Sequence, residues 1–237
     1  MQELLRGAGF VCLYFAVVAT TLLVCRWRLS IPDELFRKML HFVLLGSYIP
    51  FVFGFDTWWL AALCALALEA LIYPALAWFE RFKGYSSLTT ERRKGELKQS
   101  LLLAFTMLAF CILVCWGLLK DRYLVLACMY AWGVGDAFAA LVGKAYGKHR
   151  FRLKAAVPGK SVEGTCAMFV SSALTVAAVL LFRGGLRFPA VLITAVCGAA
   201  AAAVVELLTP NGMDTVTCPA AAMAVMVPVL ALLGGLA

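Results

Sequence analysis

The chain has 237 residues, 64% hydrophobic and 14% charged, with a mean hydropathy of +0.92 and a net charge of +8. Soluble domains carry about 25% charged residues, so this composition excludes a soluble globular protein and leaves an integral membrane protein. A spanning helix needs about 20 mostly apolar residues. The predicted fold class is therefore all-α: a polytopic transmembrane helix bundle of seven or eight spans, one integral membrane domain over 1–237, with no room for a soluble domain.

The first predicted span runs from about Gly7 to Cys25, and Arg26, Trp27 and Arg28 form its interfacial edge. Its weak n-region charge and lack of a small-residue cleavage site read as a retained span. After SIPDELF, the second runs from about Arg37 to Phe55, and its opening RKMLHF puts Arg37 and His41 on one helix face at i and i+4. The third, about Thr57 to Phe79, starts with an aromatic belt of Trp58 and Trp59 and carries Glu69 in its middle. A polar, basic loop ending ERRKGELK follows, most simply a topology determinant. The fourth span is about Gln99 to Leu119, the fifth about Tyr123 to Gly143, the sixth about Ser161 to Phe182 and the seventh about Phe188 to Leu208. The eighth, about Thr215 to Gly234, is interrupted by Pro219 and Pro228, which is why the count is seven or eight. No internal repeat is evident, which speaks against repeat-built transporter folds.

Loop charge sets the expected orientation. The loops after spans one, three and five, with their flanking residues, hold 16 of the 21 Lys and Arg. The positive-inside rule then puts these loops and TPNGMD in the cytoplasm and both termini outside. Topology and anionic headgroups account for the basic residues, so no nucleic-acid partner is expected. The nine cysteines show no paired metal-ligand spacing and read mostly as small hydrophobes within apolar segments.

In this topology nearly every unusual polar residue falls at the cytoplasmic leaflet: Arg37, Lys38, His41, Asp136, Lys160, Glu163, Glu206 and Asp214. Glu69 is the exception. A carboxylate within a span costs about 2.5–3.5 kcal/mol on insertion scales, which makes Asp136, about two turns inside the fifth span, the leading functional candidate. Gly135, Ala139 and Gly143 recur at four-residue spacing and would let another helix approach closely. GKSVEG ends like a phosphate-binding loop, but Lys154 stands where that motif needs glycine and no strand precedes it, which excludes a P-loop. Lys160 at a helix start still suits phosphate, beside free N–H groups and the positive dipole end. Glu163 suits either a metal or a capping role as an N3 carboxylate. In ELLTPNGMDT, Glu206 and Asp214 flank a Pro-Asn-Gly turn containing Asn211. Hard oxygen ligands such as Asp136, Glu163, Glu206 and Asp214 suit Mg2+, which needs only one or two carboxylates besides substrate phosphates, so not all four serve as ligands. His41 has a plainer reading, as a histidine satisfied by a backbone carbonyl or by Glu69.

ELFRKMLHFVLLG, GDAFAALVGKAYGKHRF, GKSVEG and VELLTPNGMDTVTCP, in this order over about 34–219, resemble the CTP-dependent lipid-alcohol kinases. That family includes dolichol kinase, phytol kinase and the yeast-type diacylglycerol kinase. The resemblance implies a multi-pass enzyme that transfers the γ-phosphate of CTP to a lipid hydroxyl with a divalent cation. It implies catalytic roles for Asp136, Lys160 and Asp214. Nucleotide or phosphate binding falls to Arg37, Lys38, His41, Gly135, Lys160, Ser161, Gly164 and Asn211. Metal binding falls to some of Asp136, Glu163, Glu206 and Asp214. The chain departs from the family in the threonine and cysteine of DTVTCP, where asparagine and valine are commoner. The expected partners are CTP, a polyprenol, phytol or diacylglycerol acceptor and membrane lipids. The expected site is the cytoplasmic face of a cell inner membrane, or of an endoplasmic reticulum or plastid membrane in a eukaryote. The middle motif also resembles part of phosphatidate cytidylyltransferase, though that enzyme's Gly-His-Gly-Gly run is absent here. A transporter is the non-enzymatic alternative, but transporters gather polar groups near the midplane.

Overall fold

The computed structural model describes residues 2–81, 95–151, 156–210 and 212–236, apart from the side chain of Glu34. Lys94, Lys154 and Asn211, where the loops are expected to be cytoplasmic, lie outside the described residues. The described chain is helical, without a β-strand, and eight of its helices are long and apolar enough to cross a membrane. It is an all-α, multi-pass integral membrane protein.

Among the described residues the first helices are α1 (Gln2–Arg28), α2 (Asp33–Phe53), α3 (Trp58–Phe79) and α4 (Glu96–Cys111), the last continuing as a π-helical stretch, Ile112–Leu118. Then come α5 (Arg122–Tyr146), α6 (Val162–Arg183), α7 (Phe188–Leu208) and α8 (Asp214–Leu232). The seventh span has the bounds expected from hydropathy. Others differ: α1 begins five residues before and ends three residues after its expected bounds, and further differences have local reasons. Pro32, extended at φ −57° and ψ 140°, starts α2 at Asp33, four residues before the hydrophobic run suggests. The fifth helix continues through Lys144 to Tyr146, which leaves Asp136 roughly three turns from its end rather than two. The last span is a single helix through both Pro219 and Pro228, so the described residues contain eight candidate spans. Proline is tolerated in membrane helices because neighbours re-satisfy the freed backbone groups. The π-helical stretch has no counterpart in the hydropathy pattern.

The chain divides into two compact units, Met1–Leu113 and Val114–Ala237. In the first, Gly7 packs against the ring of buried Phe55, and Gly46 lies against Tyr14, whose hydroxyl donates to the Val43 carbonyl at 2.7 Å. The Glu3 carboxylate accepts the backbone N–H groups of Asp56 and Thr57 at 2.9 and 2.8 Å, so α1 caps the start of α3. The Lys98 ammonium bonds Glu80 at 3.1 Å and ties α4 to the end of α3.

The second unit is a four-helix bundle in which α5 packs on α6, α6 on α7, α7 on α8, and α8 returns to α5. Its core is made by Leu124, Met129, Met168, Leu180 and Met226, all fully buried. The small-residue seam on α5 works as its spacing suggests. A Cβ on Gly135 would strike Ser172 Oγ and lie 2.9 Å from Met168 Cγ. A Cβ on Gly164 would come within 3.0 Å of the Ala139 carbonyl and 3.3 Å of Gly143 Cα. At this distance the Ser172 hydroxyl donates across the interface to the Ala131 carbonyl at 2.5 Å. Because the four helices alternate in direction, the 147–161 and 209–213 loops share one end of the bundle. The N–H of Val157 bonds the Leu207 carbonyl there at 3.0 Å.

Candidate functional site

The end of the bundle carrying these two loops collects the acids singled out in the sequence. Glu206 is buried, with 3% of its side chain exposed, near the C-terminus of α7. Burial and the negative end of the helix dipole both disfavour a carboxylate there. The structure compensates with an ion pair: Lys160 Nζ donates to Glu206 Oε1, 46 residues away in sequence. Asp214 is the first residue of α8, where the dipole favours an acid. Its Oδ1 accepts the Gly212 N–H at 3.0 Å, and its Oδ2 lies 3.5 Å from the indole N–H of Trp132. The charges acting on Asp214 are those of Asp136 and Lys160, and the same three groups act on the thiol of Cys218, one turn along α8. Asp136, Lys160, Glu206 and Asp214 therefore form one neighbourhood drawn from α5, the 147–161 loop, α7 and α8.

Lys160 is held from several directions. Its backbone N–H bonds the Val157 carbonyl at 3.3 Å, and its carbonyl accepts from Phe151 at 3.3 Å. Arg150 and Ser161 form an antiparallel bridge, and the Arg150 guanidinium donates to the Gly159 carbonyl. Ser161 is the N-cap of α6, its hydroxyl accepting the Gly164 N–H at 3.2 Å. With Ser161 as N-cap, Glu163 occupies N2 and Gly164 occupies N3, so the expected N3 carboxylate cap does not form. Glu163 instead takes the backbone N–H of His149 at 3.1 Å and the ring Nδ1 at 2.7 Å.

The glycines in the motif have a packing explanation. Gly143, Gly147 and Gly164 surround the Ser161 hydroxyl, and a Cβ on any of them would lie 2.7–3.2 Å from it. Gly135 sits on the α5–α6 seam. Arg37, Lys38 and His41 lie in the first unit, in the opening turns of α2, with Lys38 buried. Glu69, in the middle of α3, accepts the Thr106 hydroxyl at 3.0 Å. Asn211 lies outside the described residues.

Among the described residues, no three His, Cys, Asp or Glu side chains gather closely enough to hold a metal ion. Asp136 and Asp214 share this end of the bundle with Lys160. Mg2+ takes one or two carboxylates and completes its shell with water and phosphate oxygens, so the donor set fits that ion as a shared ligand with phosphate. Glu206 is taken up by Lys160 and Glu163 by His149. Two groups in the site escape sequence reasoning. Trp132 is one helical turn before Asp136, a spacing that could have flagged it, whereas Cys218 gave no signal beyond its turn after Asp214. Compared with protein-family models, curated proteins and solved structures, the chain matches none.

Proposed function

We propose that this chain is a membrane-embedded kinase that moves the γ-phosphate of CTP to the hydroxyl of a lipid alcohol of the polyprenol, phytol or diacylglycerol type. The observation that carries this reading is the meeting of Asp136, Lys160 and Asp214, from three separate segments, in one charge neighbourhood. Phosphoryl transfer asks mainly for positioning and charge neutralisation, and this set can supply both. Lys160 meets the triphosphate, with Glu206 aiming its ammonium. Asp136 and Asp214 would hold a divalent cation, which when bound offsets phosphate charge. Asp136, the more deeply placed of the two along its helix, is the acid proposed to accept the hydroxyl proton. The nucleotide roles of Arg37, Lys38, His41, Gly135, Ser161, Gly164 and Asn211 rest on the resemblance alone.

The cytoplasm is the proposed side for this end, on the strength of the 16 of 21 Lys and Arg in and beside the loops after spans one, three and five. A single cysteine at Lys148 in a cysteine-free background should resist an impermeant thiol reagent added to intact cells. One at Arg187 should react. The reverse pattern would invert the topology.

Product analysis tests the reaction. A kinase moves the γ-phosphate and releases CDP; a cytidylyltransferase attaches the CMP unit to a lipid phosphate and releases pyrophosphate. Purified protein is given CTP labelled at either the α or the γ position, with mixed lipid alcohols and phosphatidate. Lipid label from γ-labelled CTP alone is the expected result. Lipid label from α-labelled CTP would replace the kinase with the cytidylyltransferase. No lipid label and no CDP would favour a transporter.

A further inference from the structure

Glu163 stands among the acids of the motif, yet its bonds point away from a cation. Both carboxylate oxygens accept the backbone N–H of His149, at 3.1 and 3.3 Å, and Oε1 also meets the ring Nδ1 at 2.7 Å. His149 is in turn tied back to the start of α6, because its carbonyl accepts the Val162 N–H at 2.9 Å. The bonds thus run in both directions between residue 149 and the first turn of α6. Next to them lie the Arg150–Ser161 bridge, the Phe151 N–H on the Lys160 carbonyl, and the Arg150 guanidinium on the Gly159 carbonyl. The residue enclosed by all these ties is Lys160, whose ammonium reaches Glu206.

We infer that Glu163 is a positioning residue rather than a cation ligand: it clasps the 147–151 limb of the loop to the start of α6 and so fixes Lys160 against Glu206, in the neighbourhood of Asp136 and Asp214. The inference rests on the reading of Lys160 as the phosphate-handling group, but the clasp itself is a property of the fold. Three features suit Glu163 to the task. It sits at N2, where the dipole stabilises its charge. A carboxylate accepting from backbone N–H groups makes a bond roughly twice as strong as a neutral pair. The Val157 N–H on the Leu207 carbonyl ties the residues just before Lys160 to α7 as well.

The test uses full-length protein in lipid nanodiscs with three readouts. Amide hydrogen exchange is followed over residues 147–151 and 160–162. Mn2+ binding is followed by electron paramagnetic resonance. Steady-state kinetics separate kcat from KM for CTP. In Glu163→Ala and Glu163→Gln, exchange in the clasp should rise by about tenfold or more, the loss expected of a charge-assisted hydrogen bond. Mn2+ affinity should stay within about twofold of wild type, whereas Asp136→Asn should lose about tenfold or more. KM for CTP should rise about tenfold with kcat nearly unchanged, a split that simple loss of folded protein does not produce. His149→Ala should raise exchange in the same segment by a smaller factor. Unchanged exchange in Glu163→Ala, or an Mn2+ affinity in Glu163→Gln as weak as in Asp136→Asn, would overturn the inference. If wild type gives no lipid label, the functional reading fails, and the exchange and Mn2+ comparisons still decide the role of Glu163.

Discussion

The two ends of the 114–237 bundle use the same kinds of residue to opposite effect. At one end Asp121 caps α5, accepting the N–H groups of Tyr123 and Leu124 at 3.1 and 3.2 Å. Arg183 Nε bonds the other oxygen of Asp121 at 2.6 Å, and its Nη2 donates to the Gly235 carbonyl at 2.7 Å, fastening the end of the chain. One anion meets one cation, and both are spent on backbone ends as well. At the other end, Lys160 pairs closely with Glu206, and Asp136 and Asp214 lie in the same charge neighbourhood. A balanced pair is what a fold needs to close a bundle. Several carboxylates gathered at one end of a membrane bundle are costly and mark a candidate functional site. The comparison separates a latch from a candidate site, although each contains an acid, a base and a helix terminus.

The comparison predicts a sharp division between activity and stability. Its largest expected effect is at the end that carries Lys160. Asp136→Asn, Lys160→Ala and Asp214→Asn should each lower lipid phosphorylation by about a hundredfold or more, while protein still accumulates in the membrane. Near wild-type turnover in Asp136→Asn, measured with γ-labelled CTP, would remove it from the site and break the comparison.

The latch should behave the other way. Arg183→Ala leaves Asp121, 6% exposed, without its guanidinium. Breaking a buried pair costs about 3 kcal/mol or more, so the unfolding midpoint in detergent should fall clearly. Turnover per folded molecule should change less than about twofold, since Arg183 lies at the far end of the bundle. A large fall in turnover without a fall in stability would mean the two ends are not separable in function.

Between the ends lies the glycine seam. Gly164→Ala places a Cβ 3.0 Å from the Ala139 carbonyl, a backbone atom that cannot rotate aside. Overpacking of this kind costs about 1–3 kcal/mol. Because Gly164 also donates to Ser161, loss of stability should come with some loss of activity. Gly135→Ala meets the more pliable Met168 and Ser172 side chains, so its cost should be the smaller of the two. Thermal unfolding of both variants checks the order.

The smallest effect is expected at the cysteines. Cys111 and Cys115 are buried and free, and Cys115 Sγ lies 3.6 Å from Met223 Sδ. Alanine removes one sulfur's packing, a loss of about 1 kcal/mol, with turnover unchanged. A large drop in activity would give these thiols a role that neither end of the bundle explains.

The sequence by itself determined the spans and the α5 seam. Hydropathy and length are local quantities, and a helix buries its backbone polar groups within its own segment, so seven or eight spans were legible without knowing any neighbour, and the structure, which carries the last helix through two prolines, shows eight candidates among the described residues. Gly135, Ala139 and Gly143 were legible for the same reason, since four-residue spacing fixes a shared face. Helix ends shifted where a single residue such as Pro32 decided them. Which acid meets which base was decided only by tertiary structure. Lys160 precedes Glu163 by three residues yet pairs with Glu206, while Glu163 turns to His149 and Arg183 reaches back to Asp121. A charge at a helix end has several possible partners at similar sequence cost. Helix rotation, loop closure and the packing distance set by the glycines choose among them, and none of these can be read from the order of residues along the chain.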